Sequence, residues 1–140
     1  MGKITGLLLI IFTFILQVNA QTLIEDEIVG TWSVVQIKVL TKLPDEQKKT
    51  FDMLKEAFLR SKFNFNQDHT FVFDFEIEKM KIPNGYWKYN ELNKSFIIQD
   101  MKDKDSNDWK LMEIYTKKED HKIIFQLRDI FVELLVKKEF

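Results

Sequence analysis

The sequence predicts an all-β domain: an eight-stranded antiparallel up-and-down barrel with one α-helix between the first and second strands. Three observations predict it. Apolar and polar residues alternate with a period of two through much of the chain beyond residue 28, as half-buried strands require. Short polar turns divide these stretches, and connections that short join antiparallel neighbours. Aromatic residues make up 14% of the chain, thirteen of them Phe, and such residues favour pleated surfaces. Eight strands can close on themselves, remove both sheet edges and enclose either packed side chains or one small ligand. An open sandwich is the alternative, and a meander with a single early helix favours the barrel.

Ahead of the barrel, residues 1–20 read as an export signal, leaving residues 21–140 as the domain. Lys3 gives a basic start, Leu7–Leu16 is an uncharged run of ten residues, and Val18-Asn19-Ala20 suits cleavage after Ala20. Ten residues rise about 15 Å as a helix, too little to span a bilayer. The expected location is therefore periplasmic or secreted, with an uncleaved anchor as the alternative. The net charge of −1 leaves no basic footprint for nucleic acid or an acidic membrane surface. With no cysteine, an exported domain of this size must rely on apolar packing rather than disulfides, and no thiol could carry a lipid.

The first strand is Val29–Leu40. Trp32 and Val34 share one phase and Val35, Ile37 and Val39 the other, so a bulge near Val34-Val35 is expected to bend the strand toward closure. Leu43–Arg60 is the helix. Pro44 suits its first position, Asp45 and Glu46 oppose the positive end of its dipole, and Phe51, Leu54 and Phe58, flanked by Met53 and Ala57, form its apolar stripe. Ser61–Asn66 and Thr70–Glu78 form a hairpin in which Phe63, Phe65, Phe71, Phe73, Phe75 and Ile77 alternate with mostly polar residues. Its turn holds Asp68-His69 where Asp-Gly is usual. Histidine tolerates positive φ, so His69→Gly is expected to be neutral or stabilising. The remaining strands are Gly85–Asn90, Ser95–Met101, Trp109–Thr116, Lys122–Leu127 and Ile130–Lys138, with Ile82-Pro83-Asn84 expected as a turn.

Several patterns could in principle carry chemistry. Asp74, Glu76 and Glu78 share one face of a strand, but that face is opposite the Phe face and so belongs to solvent. Asp103–Asp108 begins like a calcium loop, yet Asp108 replaces its glycine and Ile114 its closing Glu, which favours a solvated hairpin loop. His69 and His121 sit in separate turns without the spacing of a zinc site, and there is no nucleophile elbow or phosphate-cradling loop. No catalytic residue, metal or cofactor is expected, and the chain reads as a non-enzyme.

Ile28-Val29-Gly30-Thr31-Trp32 opens the first strand with G-x-W, Gly85-Tyr86-Trp87 repeats it, and Phe63–Phe73 forms a Phe-rich hairpin. In this order and spacing they resemble the lipocalin-like proteins exported by Bacteroidota. The resemblance implies a barrel closed by Gly30 and Trp32, with the indole packed under a basic residue of the last strand. Lys137 and Lys138 stand in that region in place of the usual Arg, and the Thr-Asp-Tyr motif of lipocalins is missing. The helix after the first strand also resembles fatty-acid-binding proteins, without their Arg-x-Tyr carboxylate pair.

The candidate ligand-binding set is Phe63, Phe65, Phe71, Phe73, Phe75, Trp87, Tyr89 and Phe125, lining a cavity for a small hydrophobic or aromatic molecule. Two alternatives stand beside it. One is a solid-core interaction barrel working through Phe131, Leu135 and Phe140. The other is a small outer-membrane barrel, against which Lys138 interrupts the lipid face and most strands are too short to span.

Overall fold

The computed structural model describes residues 21–102 and 110–140. Residues 1–20, read above as an export signal, and residues 103–109, with the expected hairpin loop, lie outside the described residues. Eight antiparallel strands form a closed barrel in sequence order, the last pairing with the first. They are β1 (Gly30–Val39), β2 (Lys62–Phe65), β3 (Thr70–Asp74), β4 (Ile82–Asn90), β5 (Ser95–Gln99), β6 (Lys110–Glu119), β7 (Lys122–Leu127) and β8 (Val132–Glu139). A one-turn helix, α1 (Glu25–Ile28), precedes β1, and the main helix, α2 (Asp45–Leu59), connects β1 to β2.

Three bulges bend the wall. Val35 is the extra residue of β1 opposite β8, between the Val34–Val136 and Gln36–Leu135 pairs. The phase change foreseen on β1 thus occurs: Trp32, Val34 and Ile37 are buried and the bulged Val35 is exposed. Pro83-Asn84 opposes Val72 alone, because Phe71 pairs with Gly85 and Phe73 with Ile82. The expected turn at Ile82-Pro83-Asn84 is therefore the bulged start of β4, a position that tolerates a residue without an N–H. Leu111 is the third extra residue, on β6 between the partners of Ile98 and Gln99.

The barrel has two unlike ends. At one, tight hairpins join β2 to β3, β4 to β5 and β6 to β7. The first is a three-residue loop: Asn66 pairs back with Thr70, and His69 takes φ 70°. It replaces the two-residue turn that Asp68-His69 suggested. In the third, Asp120 and His121 both take positive φ, as a type I′ turn demands. α1 closes this end. Leu23 and Ile28 are buried, and the Leu23 N–H donates to the Thr116 hydroxyl at 2.9 Å.

The other end is the mouth, formed by α2, a 3-10 turn (Glu78–Met80) and a second one (Arg128–Ile130). β3 ends at Asp74, short of the expected Glu78, yet Phe75 remains buried beyond it. β8 begins at Val132 because Phe131 turns into the left-handed region, so Ile130 and Phe131 belong to the rim rather than the strand. Pro44 caps α2 from outside its first turn. Ala57 and Phe58 are buried, Phe51 and Leu54 only in part, and Met53 is 68% exposed, off the stripe assigned to it. Only the C-terminal half of α2 is seated in the core.

Candidate functional site

The interior is built from the aromatic set. Phe63, Phe65, Phe71, Phe73, Phe75, Trp87 and Phe125 are all at most 2% exposed, and Tyr89 packs at the margin of the same cluster. Period-two alternation aims these rings inward, and barrel curvature brings the faces of opposite strands together. They then occupy one another's space. Phe63 stacks on Phe73 at 4.5 Å and meets Phe125 edge-on at 5.6 Å, while Phe65 contacts Phe71, Trp87, Phe96 and Phe125 within 6.2 Å. Tyr89 lies 5.1 Å from Phe96. Phe96 and Phe58 are equally central, and Phe58 reaches Phe75 at 4.9 Å. The eight residues chosen from the sequence are brought together as a packed aromatic core.

The closed end uses its polar atoms for bracing. Trp32 lies 5.3 Å from Phe125 and donates its indole N–H to the Ile28 carbonyl at 2.8 Å. Lys138 lies over the Trp32 ring with its ammonium 5.4 Å from the centroid, and donates to the Glu27 carbonyl at 3.2 Å. It takes the place expected for an arginine. Gly30 has φ 138°, a conformation that strains any side chain, and a Cβ there would sit 2.5 Å from Lys138 Cε and displace the lysine stem. Trp87 donates to the Asn66 carbonyl at 2.9 Å. The His69 ring stacks on Trp87 at 4.1 Å, its Nδ1 lies 3.1 Å from the Trp87 carbonyl, and its Nε2 lies 3.4 Å from Glu25 Oε1. His69 is thus more than a turn residue.

The strand-face carboxylates point outward, while other carboxyls are tied by hydrogen bonds. Asp74, Glu76 and Glu78 face solvent, and Glu76 pairs with Arg60 at 2.7 Å. Burial pushes the Glu133 carboxyl up, but hydrogen bonds from Gln126 and Lys117 outweigh it and hold the group below its ordinary value. At Glu113, burial is likewise outweighed by the Ser95 hydroxyl and the Lys110 ammonium. Lys118 and the Ile24 N–H lower Glu27. No group of three or more metal-ligating side chains occurs among the described residues.

Open space is found at the mouth. A cleft of about 510 Å³ runs between α2 and the rim of β1 and β8, floored by Val39, Phe51, Leu54 and Val132 and bordered by Phe131 and Lys42. Two neighbouring clefts, about 120 and 400 Å³, share Met80, Leu111 and Met112, and Ile130 joins the smaller of them to the first. Leu111, Ile130 and Phe131, 49%, 40% and 56% exposed, are large apolar residues that stand out into this region. Sequence patterns did not assign these residues to a binding site, although one signal was present. Leu111-Met112 and Ile130-Phe131-Val132 are consecutive apolar residues that break period-two alternation, which marks a bulge and a rim. Of the surface proposed for partner contacts, Phe131 stands at the mouth and Phe140 at the opposite end of β8, so they do not form one patch.

Against known proteins, the chain matches no family model, no curated protein and no solved structure. The geometry alone carries the functional conclusion.

Proposed function

We propose that this chain is an exported lipocalin-like binding protein, without catalytic activity, that takes a small hydrophobic molecule at the mouth of its barrel. The observation that carries this reading is the cleft of about 510 Å³ between α2 and the β1–β8 rim, which falls in the range of small-molecule sites. Its floor is apolar, and its aromatic residues Phe51 and Phe131 belong to two separate elements that converge on it. The ring-packed interior supplies a rigid base, so the ligand is bound above the aromatic core rather than within it. Glu113 and Glu133 support the non-catalytic part, because each is held ionised by hydrogen-bonding neighbours rather than poised as a proton donor. The outer wall, where Lys117 of β6 pairs with Glu133 of β8 and Glu113 with Lys110 of its own strand, suits water better than lipid.

The test is titration with N-phenyl-1-naphthylamine, a neutral dye that brightens in apolar surroundings. Saturable enhancement at one dye per protein is expected, weakened by Leu54→Asp. A signal that never saturates, or that Leu54→Asp leaves unchanged, would remove the mouth as a ligand site.

A further inference from the structure

The cleft beneath α2 differs from its neighbours in having no acid in its lining. Of its eleven lining residues Lys42 is the one that carries a charge, whereas the larger neighbour sets Asp100 beside Lys79 and Lys81 and the smaller holds the acids Glu113 and Asp129. Lys42 has no ion-pair partner among the described residues. Thr41, Gln47 and Thr50 stand with it around the apolar floor and add hydrogen-bond donors. The nearest acid along the chain, Asp45, is engaged by Lys48 at 2.8 Å.

Phe131 supplies a second, independent observation. It occupies the left-handed region at φ 56° and ψ 43°, where a bulky side chain is strained by about 1 kcal/mol or more. Its backbone is held at both polar groups. The Phe131 N–H donates to the Arg128 carbonyl at 3.2 Å, and its own carbonyl accepts from the Leu40 N–H at 2.8 Å. Glycine would make the same two bonds without strain. The chain instead holds a strained aromatic ring, 56% exposed, at the lip of the cleft.

Building on the mouth-binding reading above, we infer that the cleft between α2 and β8 takes an amphipathic monoanion. Its apolar chain lies across Phe51, Leu54 and Phe131, and its acidic head faces the Lys42 ammonium. The head is solvent-accessible, because Lys42 is exposed, so the charge tunes selectivity and the apolar floor supplies most of the affinity.

Decanoate and decanol share one chain length and differ in the charged head, and calorimetric titration of the purified protein with each separates the two contributions. Decanoate is expected to bind about fivefold more tightly than decanol, an advantage that Lys42→Met and added salt both abolish while decanol affinity stays the same. Phe131→Gly is expected to weaken both ligands about tenfold while leaving the unfolding midpoint unchanged or raised. Equal affinities for the two, indifferent to Lys42→Met, overturn the anion assignment and leave apolar binding at the mouth standing. Failure of both to bind saturably overturns both readings, as does cleft occupation by a second copy, seen as self-association that Phe131→Gly removes. A clear loss of stability in Phe131→Gly overturns the assignment of that ring to the ligand.

Discussion

At His69 two demands meet in one residue. The three-residue hairpin loop needs a positive φ, which glycine meets at least cost, and by that criterion His69→Gly would be harmless. The ring, however, covers the face of Trp87 at 4.1 Å and links the loop to the Trp87 carbonyl and to Glu25 of α1. Stacking of this kind contributes about 0.5–1.5 kcal/mol, and the polar contacts add to it. His69→Gly is therefore expected to destabilise by about 1 kcal/mol, read from the midpoint of urea unfolding. His69→Asn, which also tolerates positive φ, should lose nearly as much. A midpoint at or above wild type would assign the ring no role. The residue's backbone conformation was legible from turn chemistry. Its contacts were not, because Glu25 and Trp87 are distant in sequence and only barrel closure brings them to the loop.

At the scale of elements, the closed end works as a plug in which α1, the start of β1 and the end of β8 hold one indole. Trp32 is 3% exposed, braced by Ile28 at its N–H and covered by Lys138. Trp32→Ala removes the ring that meets Phe125 and leaves a cavity the rigid hairpins cannot close, so a loss on the order of 3–5 kcal/mol is expected by chemical unfolding. A loss under about 1 kcal/mol would mean the indole is not the plug. Element types and order were readable from period two and from the one helical stripe. Their ends were less so. β3 was expected to reach Glu78, but alternation continues through Phe75 and Ile77 although the strand stops at Asp74. Phe75 stays buried because Phe58 of α2 packs on it at 4.9 Å, a tertiary contact that mimics strand periodicity. α1 escaped notice because four residues of helix carry no periodic signal.

At the scale of the whole molecule, the inward turn of the Phe set follows from alternation alone, and closure follows from eight strands with short connections. Whether such a barrel is hollow depends on ring volumes summed over all strands, which no local pattern reports. The mouth was legible only in part: Phe51 and Leu54 lie on the helical stripe that the sequence shows, whereas Leu111, Ile130 and Phe131 come from a bulge and a 3-10 turn, where periodicity breaks. The outer wall carries a different global property, its dependence on acid. Glu133 on β8 accepts from Gln126 of β7 at 2.6 Å and Lys117 of β6 at 3.2 Å, while Glu113 joins β6 to Ser95 of β5 at 2.6 Å and Glu27 ties α1 to Lys118. All three carboxyls are held below their ordinary value of 4.5 in the folded chain. A lowered folded value means the unfolded chain takes up protons first, so this stabilisation is complete above the ordinary value and is lost as pH falls through the folded one. Stability is therefore expected to be level from pH 7 to about 5.5 and to decline below about 4.5 as these carboxyls protonate. Glu133→Gln should lower stability at pH 7 by on the order of 1–2 kcal/mol and flatten the acid decline, measured by guanidinium unfolding at pH 7, 5, 4 and 3. The decisive feature is the pH of onset: a drop already present between pH 7 and about 5.5 would remove the carboxylate ties as its cause.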